Sequence, residues 1–165
     1  MTARPSAPRK LLRTDDVAGF TSGAGELDVW LQRFALENLT ANNAITYVTT
    51  SGDQVVGYYA IAVGGVALLE VPAALKKGSR PDPLPVIVLA RLAVDLDVAG
   101  VGVGAALLRD CLERTAQLSD SVGAAALLVH ARDGAARDFY LHNGDFQESP
   151  IDELQLMVPI KELRA

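Results

Sequence analysis

The sequence predicts a single α/β domain. Segments typical of strands and helices alternate along the 165 residues, in the order β-α-β-β-β-α-β-α-β. One strand runs directly into three glycines that are separated by single residues, and an amphipathic helix follows at once. The length suits one compact core, and we find neither an internal repeat nor a linker. Residues 1–165 are therefore expected to form one domain.

The N-terminal part of the chain begins with an arm and a helix. Residues 1–8 contain two prolines and predict a loose arm, and residues 9–13 predict a first edge strand. Apolar residues recur at helical spacing from 26 to 39, which predicts an amphipathic helix. Within this helix we interpret Trp30 and Phe34 as core residues.

Strands dominate the middle of the chain. The β-branched residues at 45–50 predict a strand, and a turn separates it from a long strand at 55–69. Gly64 and Gly65 weaken the second strand and predict a bulge or bend in it. The loop at 72–85 contains four prolines, which restrict its conformations and predict a defined shape.

The C-terminal half alternates between strands and helices. A strand at 86–95 precedes the glycines, and the helix after them is predicted at 102–118. A continuous apolar run predicts a buried strand at 124–130, a short helix follows at 134–142, and residues 153–158 alternate like a final strand.

The glycines carry the first functional signal. Gly100, Gly102 and Gly104 let the main chain approach a ligand, and the following helix offers free N–H groups at its positive end. This arrangement suits a pyrophosphate, although a tight turn between strand and helix is the alternative interpretation. No Gly-Lys-Ser/Thr sequence follows, so the turn is not a nucleotide P-loop. Most strands precede it, so it is a poor dinucleotide-binding fingerprint.

Composition narrows the functional classes. The net charge of −5 argues against binding of nucleic acid by the whole surface, although basic residues cluster at 4–13 and again in the loop at 76–80. No apolar run is long enough to span a bilayer, and the N-terminal residues predict no secretory signal because no apolar segment follows their basic residues. The single cysteine, Cys111, is interpreted as a small core residue and fits a reducing cytoplasm. With only two histidines, no metal site is predicted.

Two motifs together resemble the GNAT N-acetyltransferase superfamily. They are Leu89-Ala90-Arg91-Leu92-Ala93-Val94-Asp95 before the glycines, and Phe139-Tyr140 on the later helix. The resemblance implies a mixed, mostly antiparallel twisted sheet flanked by helices and splayed at the strand before the glycine loop. It implies acetyl-CoA as the cosubstrate and Tyr140 as the proton donor. The implied pantetheine contacts are Leu92, Ala93 and Val94, and the implied pyrophosphate contacts are Gly100, Val101, Gly102, Val103, Gly104 and Ala105.

A narrower resemblance covers nearly the whole chain. Glu26-Leu27-Asp28-Val29-Trp30-Leu31, Thr46-Tyr47-Val48, Gly57-Tyr58-Tyr59 and the tail from Ser149-Pro150 are similar to the GNAT toxins of bacterial type II toxin–antitoxin modules. The resemblance implies acetylation of the α-amino group of aminoacyl-tRNA, which stops translation. It also implies a partner, an antitoxin with a ribbon-helix-helix DNA-binding domain, and a homodimer. The candidate RNA contacts are Arg9, Lys10, Arg13, Lys76, Lys77, Arg80 and Arg91.

The glycine loop departs from the family pattern. Ala99 and Val101 stand where polar or basic side chains are usual. The backbone can still bind a pyrophosphate, but charge-assisted contacts worth about 1.5–3 kcal/mol each are missing from the loop itself. Ile45 replaces a usual Arg, Asp145 is one extra residue, and the chain is acidic where the toxins are usually basic.

The sequence offers no obvious general base, and this bears on which kind of amine accepts the acetyl group. An α-amino group has a pKa of about 7.7–8.0, so it is partly neutral at cytoplasmic pH and needs no strong base. A lysine amine, with a pKa near 10.4, needs one. Two alternatives stay open: an enzyme that acetylates a small amine or a protein N-terminus, and a partner-binding protein that no longer binds the coenzyme productively.

Overall fold

The structure, a computed structural model, describes residues 4–164; residues 1–3 and 165 of the predicted domain lie outside the described residues. Strands and helices alternate in this range much as predicted. The strands are β1 (Arg9–Lys10), β2 (Ile45–Ser51), β3 (Gln54–Val66), β4 (Leu84–Val94), β5 (Ala126–His130), β6 (Gln147–Glu148) and β7 (Gln155–Pro159). The helices are α1 (Gly25–Arg33), α2 (Ala35–Thr40), α3 (Val103–Leu118), α4 (Gly134–Asn143) and α5 (Ile160–Leu163).

The strands form an open, mostly antiparallel sheet in the order β1-β2-β3-β4-β5-β7-β6. β4 and β5 are parallel, whereas β1–β2, β2–β3, β5–β7 and β6–β7 are antiparallel pairs. The predicted α/β class with a mixed, mostly antiparallel sheet flanked by helices is therefore confirmed. Backbone contacts divide the chain into two compact units. The first contains the residues up to Ala62 together with Ala90–Asp110, and the second contains Val63–Leu89 and the residues from Cys111 onward.

The first unit packs α1 and α2 on a core that includes Leu31, Val48 and Tyr58. The single helix predicted at 26–39 is two helices, because the backbone turns away from helical geometry at Phe34, with φ −119° and ψ −23°. Phe34 is 45 % exposed, so its interpretation as a core residue is wrong. The break rotates its ring outward, while Trp30 stays half-buried against the core.

Gly57 fixes how closely α3 approaches β3. A Cβ at this position would lie 2.9 Å from Leu107 Cδ1, 3.0 Å from Thr49 Cγ2 and 3.2 Å from Val103 Cγ1. Leu107 is fully buried and Thr49 nearly so, and close-packed interiors absorb such overlap poorly. The first turn of α3 can rest on the sheet only because this residue has no side chain.

We expect the substitution Gly57→Ala to lower the free energy of unfolding by about 1–3 kcal/mol, because it overpacks this contact. Urea denaturation followed by circular dichroism measures the change. Gly25→Ala is the matched control, since a Cβ there meets nothing within 4 Å at the start of α1. Equal stability of the two variants would show that α3 shifts freely on β3.

The second unit has a core that includes Leu75, Val86, Leu128 and Met157. The predicted bend at the glycine pair reflects a close approach of strands, because a Cβ at Gly64 would lie 2.8 Å from Val88 Cγ2. β3 ends at Val66, short of the predicted 69, since a 3-10 turn over Leu68–Glu70 replaces its end. The proline loop contains a second 3-10 turn, Ala73–Leu75.

Candidate functional site

The glycine turn adopts backbone angles that L side chains rarely allow. Gly100 has φ +79° and Gly102 has φ +89°. A Cβ at either position meets nothing within 4 Å, so the backbone conformation rather than crowding requires glycine there. The turn is exposed at its tip, where Val101 is 72 % accessible.

Asp95, which directly follows β4, holds the glycine turn in place within the first unit. The Asp95 side chain is buried and accepts hydrogen bonds from the backbone N–H groups of Thr21, at 3.0 Å, and Asp97, at 2.9 Å. The Asp95 N–H donates to the carbonyl of Val56 at 2.9 Å. These bonds hold the end of β4 and the start of the turn in a fixed position.

A run of backbone donors is left open by this geometry. The first hydrogen bond of α3 runs from the Ala106 N–H to the Gly102 carbonyl at 3.0 Å. Among residues 4–164, the N–H groups from Gly100 to Ala105 donate to no acceptor. Unpaired N–H groups at the positive end of a 16-residue helix attract anions. The turn therefore fits the pyrophosphate of a coenzyme.

β4, the strand before the glycine turn, extends beyond its last residue pair with β5. The register between β4 and β5 runs from Val86↔Ala126 to Leu89↔Val129, whereas β4 continues to Val94. In this continuation Ala93 is buried in the core of the first unit, and Leu92 and Val94 are half-buried. Strand backbone beyond the last pair with β5 suits hydrogen bonding to an extended ligand.

Tyr140 lies on α4 in the second unit. Its side chain is 7 % exposed and packs edge-on against the rings of Phe139, at 5.3 Å, and Phe146, at 5.6 Å between centroids. Its hydroxyl donates to no acceptor among the described residues. Burial raises the pKa of Tyr140 well above its ordinary value, and the nearby Cys111 thiol adds to the rise. The phenol is therefore fully protonated at physiological pH.

The basic residues near the N-terminus differ in availability. Arg9 forms a bidentate ion pair with Asp15, at 2.7 and 2.9 Å, and its guanidinium holds the pKa of that carboxyl below the ordinary value. Lys10 and Arg13 are exposed. The charge of Arg9 is thus largely balanced within the fold, which sequence clustering did not reveal.

The basic residues of the proline loop also differ. Lys76 and Lys77 are exposed after the second 3-10 turn. Arg80 is half-buried, and its Nε is a buried atom without a hydrogen-bond partner in the described part of the chain. Arg80 is therefore partly withdrawn from solvent.

Arg91 is held by an aromatic stack that the sequence did not suggest. Its guanidinium carbon lies 4.3 Å from the centroid of the Trp30 ring, and that ring stacks on Tyr58 at 6.1 Å. The Tyr58 hydroxyl donates to the Leu27 carbonyl at 2.7 Å, and this bond fixes the position of the Tyr58 ring. An arginine oriented by stacking keeps the edge of its guanidinium available for an anion.

Two kinds of feature are absent from residues 4–164. No group of three or more His, Cys, Asp or Glu side chains in this range could hold a metal ion. No helix in the same range is both long and apolar enough to cross a membrane.

No family model matches the chain. A curated relative from Mycobacterium tuberculosis, named tRNA-acetylating toxin, is 46 % identical over 160 residues, which cover 97 % of this chain and 95 % of the relative. The chain belongs to the family of tRNA-acetylating toxins. This membership confirms the resemblance to GNAT toxins that the sequence motifs carry.

Solved structures of the toxin AtaT share the fold. AtaT complexed with acetyl-methionyl-tRNAfMet is 24 % identical, with a TM-score of 0.87, and the match covers 95 % of this chain and 96 % of AtaT. A mutant AtaT toxin bound to the C-terminus of the antitoxin AtaR and acetyl-CoA is 24 % identical, with a TM-score of 0.78 and coverage of 95 % and 94 %. These structures share the fold of this chain over nearly its whole length.

Proposed function

We propose that the chain transfers the acetyl group of acetyl-CoA to the α-amino group of aminoacyl-tRNA and blocks translation as a toxin. The identity of 46 % over nearly the whole length of a tRNA-acetylating toxin is the observation that carries this function. The unpaired N–H groups at the glycine turn support it, because they supply what the coenzyme's pyrophosphate needs.

The proposed cofactor contacts follow from the chain's own backbone. Leu92, Ala93 and Val94 hydrogen-bond to the pantetheine arm through main-chain groups of β4. The N–H groups from Gly100 to Ala105 bind the pyrophosphate, because none of them has an acceptor in the described residues. Bound acetyl-CoA supplies the thioester that is cleaved.

Tyr140 is proposed as the proton donor. When the neutral amine attacks the thioester carbon, the new N–C bond forms and the C–S bond breaks. The thiolate sulfur takes a proton from the Tyr140 hydroxyl, and the surplus proton of the attacking amine passes through water to restore that hydroxyl. Because burial raises the pKa of Tyr140, the hydroxyl is protonated when the amine attacks. The acceptor amine is partly neutral near pH 8 and needs no dedicated base on the protein.

The proposed RNA contacts are Arg9, Lys10, Arg13, Lys76, Lys77, Arg80 and Arg91. Exposed lysines suit non-specific phosphate contacts. Arg91 suits an oriented contact, because Trp30 stacks on the face of its guanidinium. Arg9 contributes least, since Asp15 already neutralises it.

We expect simultaneous replacement of Lys76, Lys77 and Arg80 by Ala to weaken activity on charged tRNA at physiological salt while sparing activity on a small amine. Removing one phosphate contact lowers the salt dependence of binding by roughly 0.7–0.9 in log–log slope. Filter binding of charged tRNA across a salt series measures this slope. Lys161→Ala, an exposed charge on α5, is the control. A parallel fall of both activities would mean that the loop shapes the site instead of contacting RNA.

We further propose an antitoxin partner with a ribbon-helix-helix domain, a homodimer, and action in the cytoplasm, where charged tRNA is used. The structure of the AtaT toxin bound to the C-terminus of its antitoxin supports an antitoxin partner. Light scattering of the purified chain, alone and with the product of the adjacent reading frame, tests the partner and the dimer.

The deciding experiment incubates purified protein with labelled acetyl-CoA and bulk charged tRNA. We expect label on the α-amino group of the esterified amino acid and none on uncharged tRNA. Label on a small amine or on a protein N-terminus instead would favour another GNAT reaction. A failure to bind the coenzyme would favour a partner-binding protein without catalytic activity.

A further inference from the structure

A groove of about 270 Å³ opens beside the glycine turn. One wall is formed by Val101, Gly102 and Val103, at the turn and the first residue of α3. The other wall includes Arg4 and Ser6, from the N-terminal arm. All of these residues belong to the first unit. The arm thus borders the same space as the open backbone donors.

The arm is fixed where it borders the groove. The Ser6 N–H donates to the Thr50 carbonyl at 2.8 Å, and the Ser6 Oγ accepts from the Thr50 N–H at 3.0 Å. The Thr49 hydroxyl donates to the Ser6 carbonyl. Pro5 and Pro8 flank this anchor and restrict the backbone on both sides of it. Arg4 is therefore two residues from a fixed point on β2.

The turn itself brings no positive side chain. Ala99 and Val101 are apolar, and the residues just before them include Asp95 and Asp97. The phosphates of acetyl-CoA carry several negative charges, which the backbone dipoles only partly balance. Arg4 is the cation that lines the groove, and it makes no hydrogen bond or ion pair within residues 4–164.

We propose that Arg4 binds a phosphate group of acetyl-CoA and supplies the charge that the glycine turn lacks. The inference rests on the proposed function, because it assumes that the turn binds this coenzyme. A guanidinium pairs with phosphate through two parallel N–H···O bonds, which adds affinity and orientation. The arm acts as a side wall of the coenzyme site.

Calorimetric titration of acetyl-CoA tests this assignment. We expect Arg4→Ala to raise the Kd about tenfold, the loss expected when an exposed guanidinium no longer pairs with a phosphate. Arg4→Lys should lie between Arg4→Ala and the wild type, because it keeps the charge but not the paired geometry. Arg33→Ala removes an exposed charge at the end of α1 and should leave the Kd unchanged.

A phosphate-free ligand separates charge from shape. Acetyl-pantetheine should bind Arg4→Ala and wild type equally. An unchanged Kd for acetyl-CoA in Arg4→Ala, or an equal loss of affinity in Arg33→Ala, would overturn the assignment. If the coenzyme Kd is unchanged in Arg4→Ala and tRNA binding is weaker, Arg4 contacts RNA and not the coenzyme. If the wild type itself binds no acetyl-CoA, the proposed function fails together with this inference.

Discussion

Replacing Tyr140 by Phe is expected to lower turnover about 10²–10⁴-fold, the range for loss of a general acid. The ring contacts with Phe139 and Phe146 remain, so the fold and the Kd of acetyl-CoA should not change. Single-turnover kinetics on charged tRNA measures the effect, and calorimetry checks coenzyme binding. The hydroxyl forms no hydrogen bond to the described residues, so its removal leaves no partner unsatisfied.

Tyr47→Phe is the matched control for Tyr140→Phe. Tyr47 is also buried, at 6 % exposure, and stacks on Tyr59 in the first unit at 5.2 Å. Loss of its hydroxyl should leave turnover within a few-fold of the wild type. If Tyr140→Phe behaves in the same way, Tyr140 is a packing residue and the proton comes from elsewhere.

The wild-type rate should rise with pH toward about 8, as the acceptor amine loses its proton.

Replacing Gly102 by Glu is expected to abolish acetyl-CoA binding. The residue has φ +89°, where a side chain costs roughly 1–2 kcal/mol, and the new carboxylate would compete with the pyrophosphate for the open N–H groups. Calorimetry measures the loss of binding, with circular dichroism to verify the fold.

Gly123→Glu is the control for Gly102→Glu, because it adds the same charge in a loop where a Cβ meets nothing within 4 Å. Gly102→Ala separates backbone strain from charge and should bind the coenzyme more weakly than wild type but more tightly than Gly102→Glu. Unchanged affinity in Gly102→Glu would remove the turn from the coenzyme site.

Local signals were sufficient for the elements around the turn. The helix predicted at 102–118 is Val103–Leu118, and the strand predicted at 86–95 is Leu84–Val94. Glycines with positive φ and long apolar segments impose these structures through short-range sterics and burial. The position of the glycine turn could therefore be predicted from sequence.

Elements that depend on distant contacts were not predicted. β6 is two residues long, and pairing with β7 defines it as a strand. The short helix α5 likewise follows β7 without a sequence signal of its own. The stack of Arg91 on Trp30 and the groove beside Arg4 join segments far apart in the chain. Such contacts depend on the assembled sheet, so spacing in one sequence does not show them.

In the proposed mechanism, the buried phenol of Tyr140 must recover its proton after each turnover. Burial raises the pKa of Tyr140, so the protonated phenol is the stable form over a wide pH range. The proposed donor therefore stays protonated through ordinary changes in pH. In this mechanism, slowing in acid conditions is expected from the substrate's amine, which must be uncharged to attack.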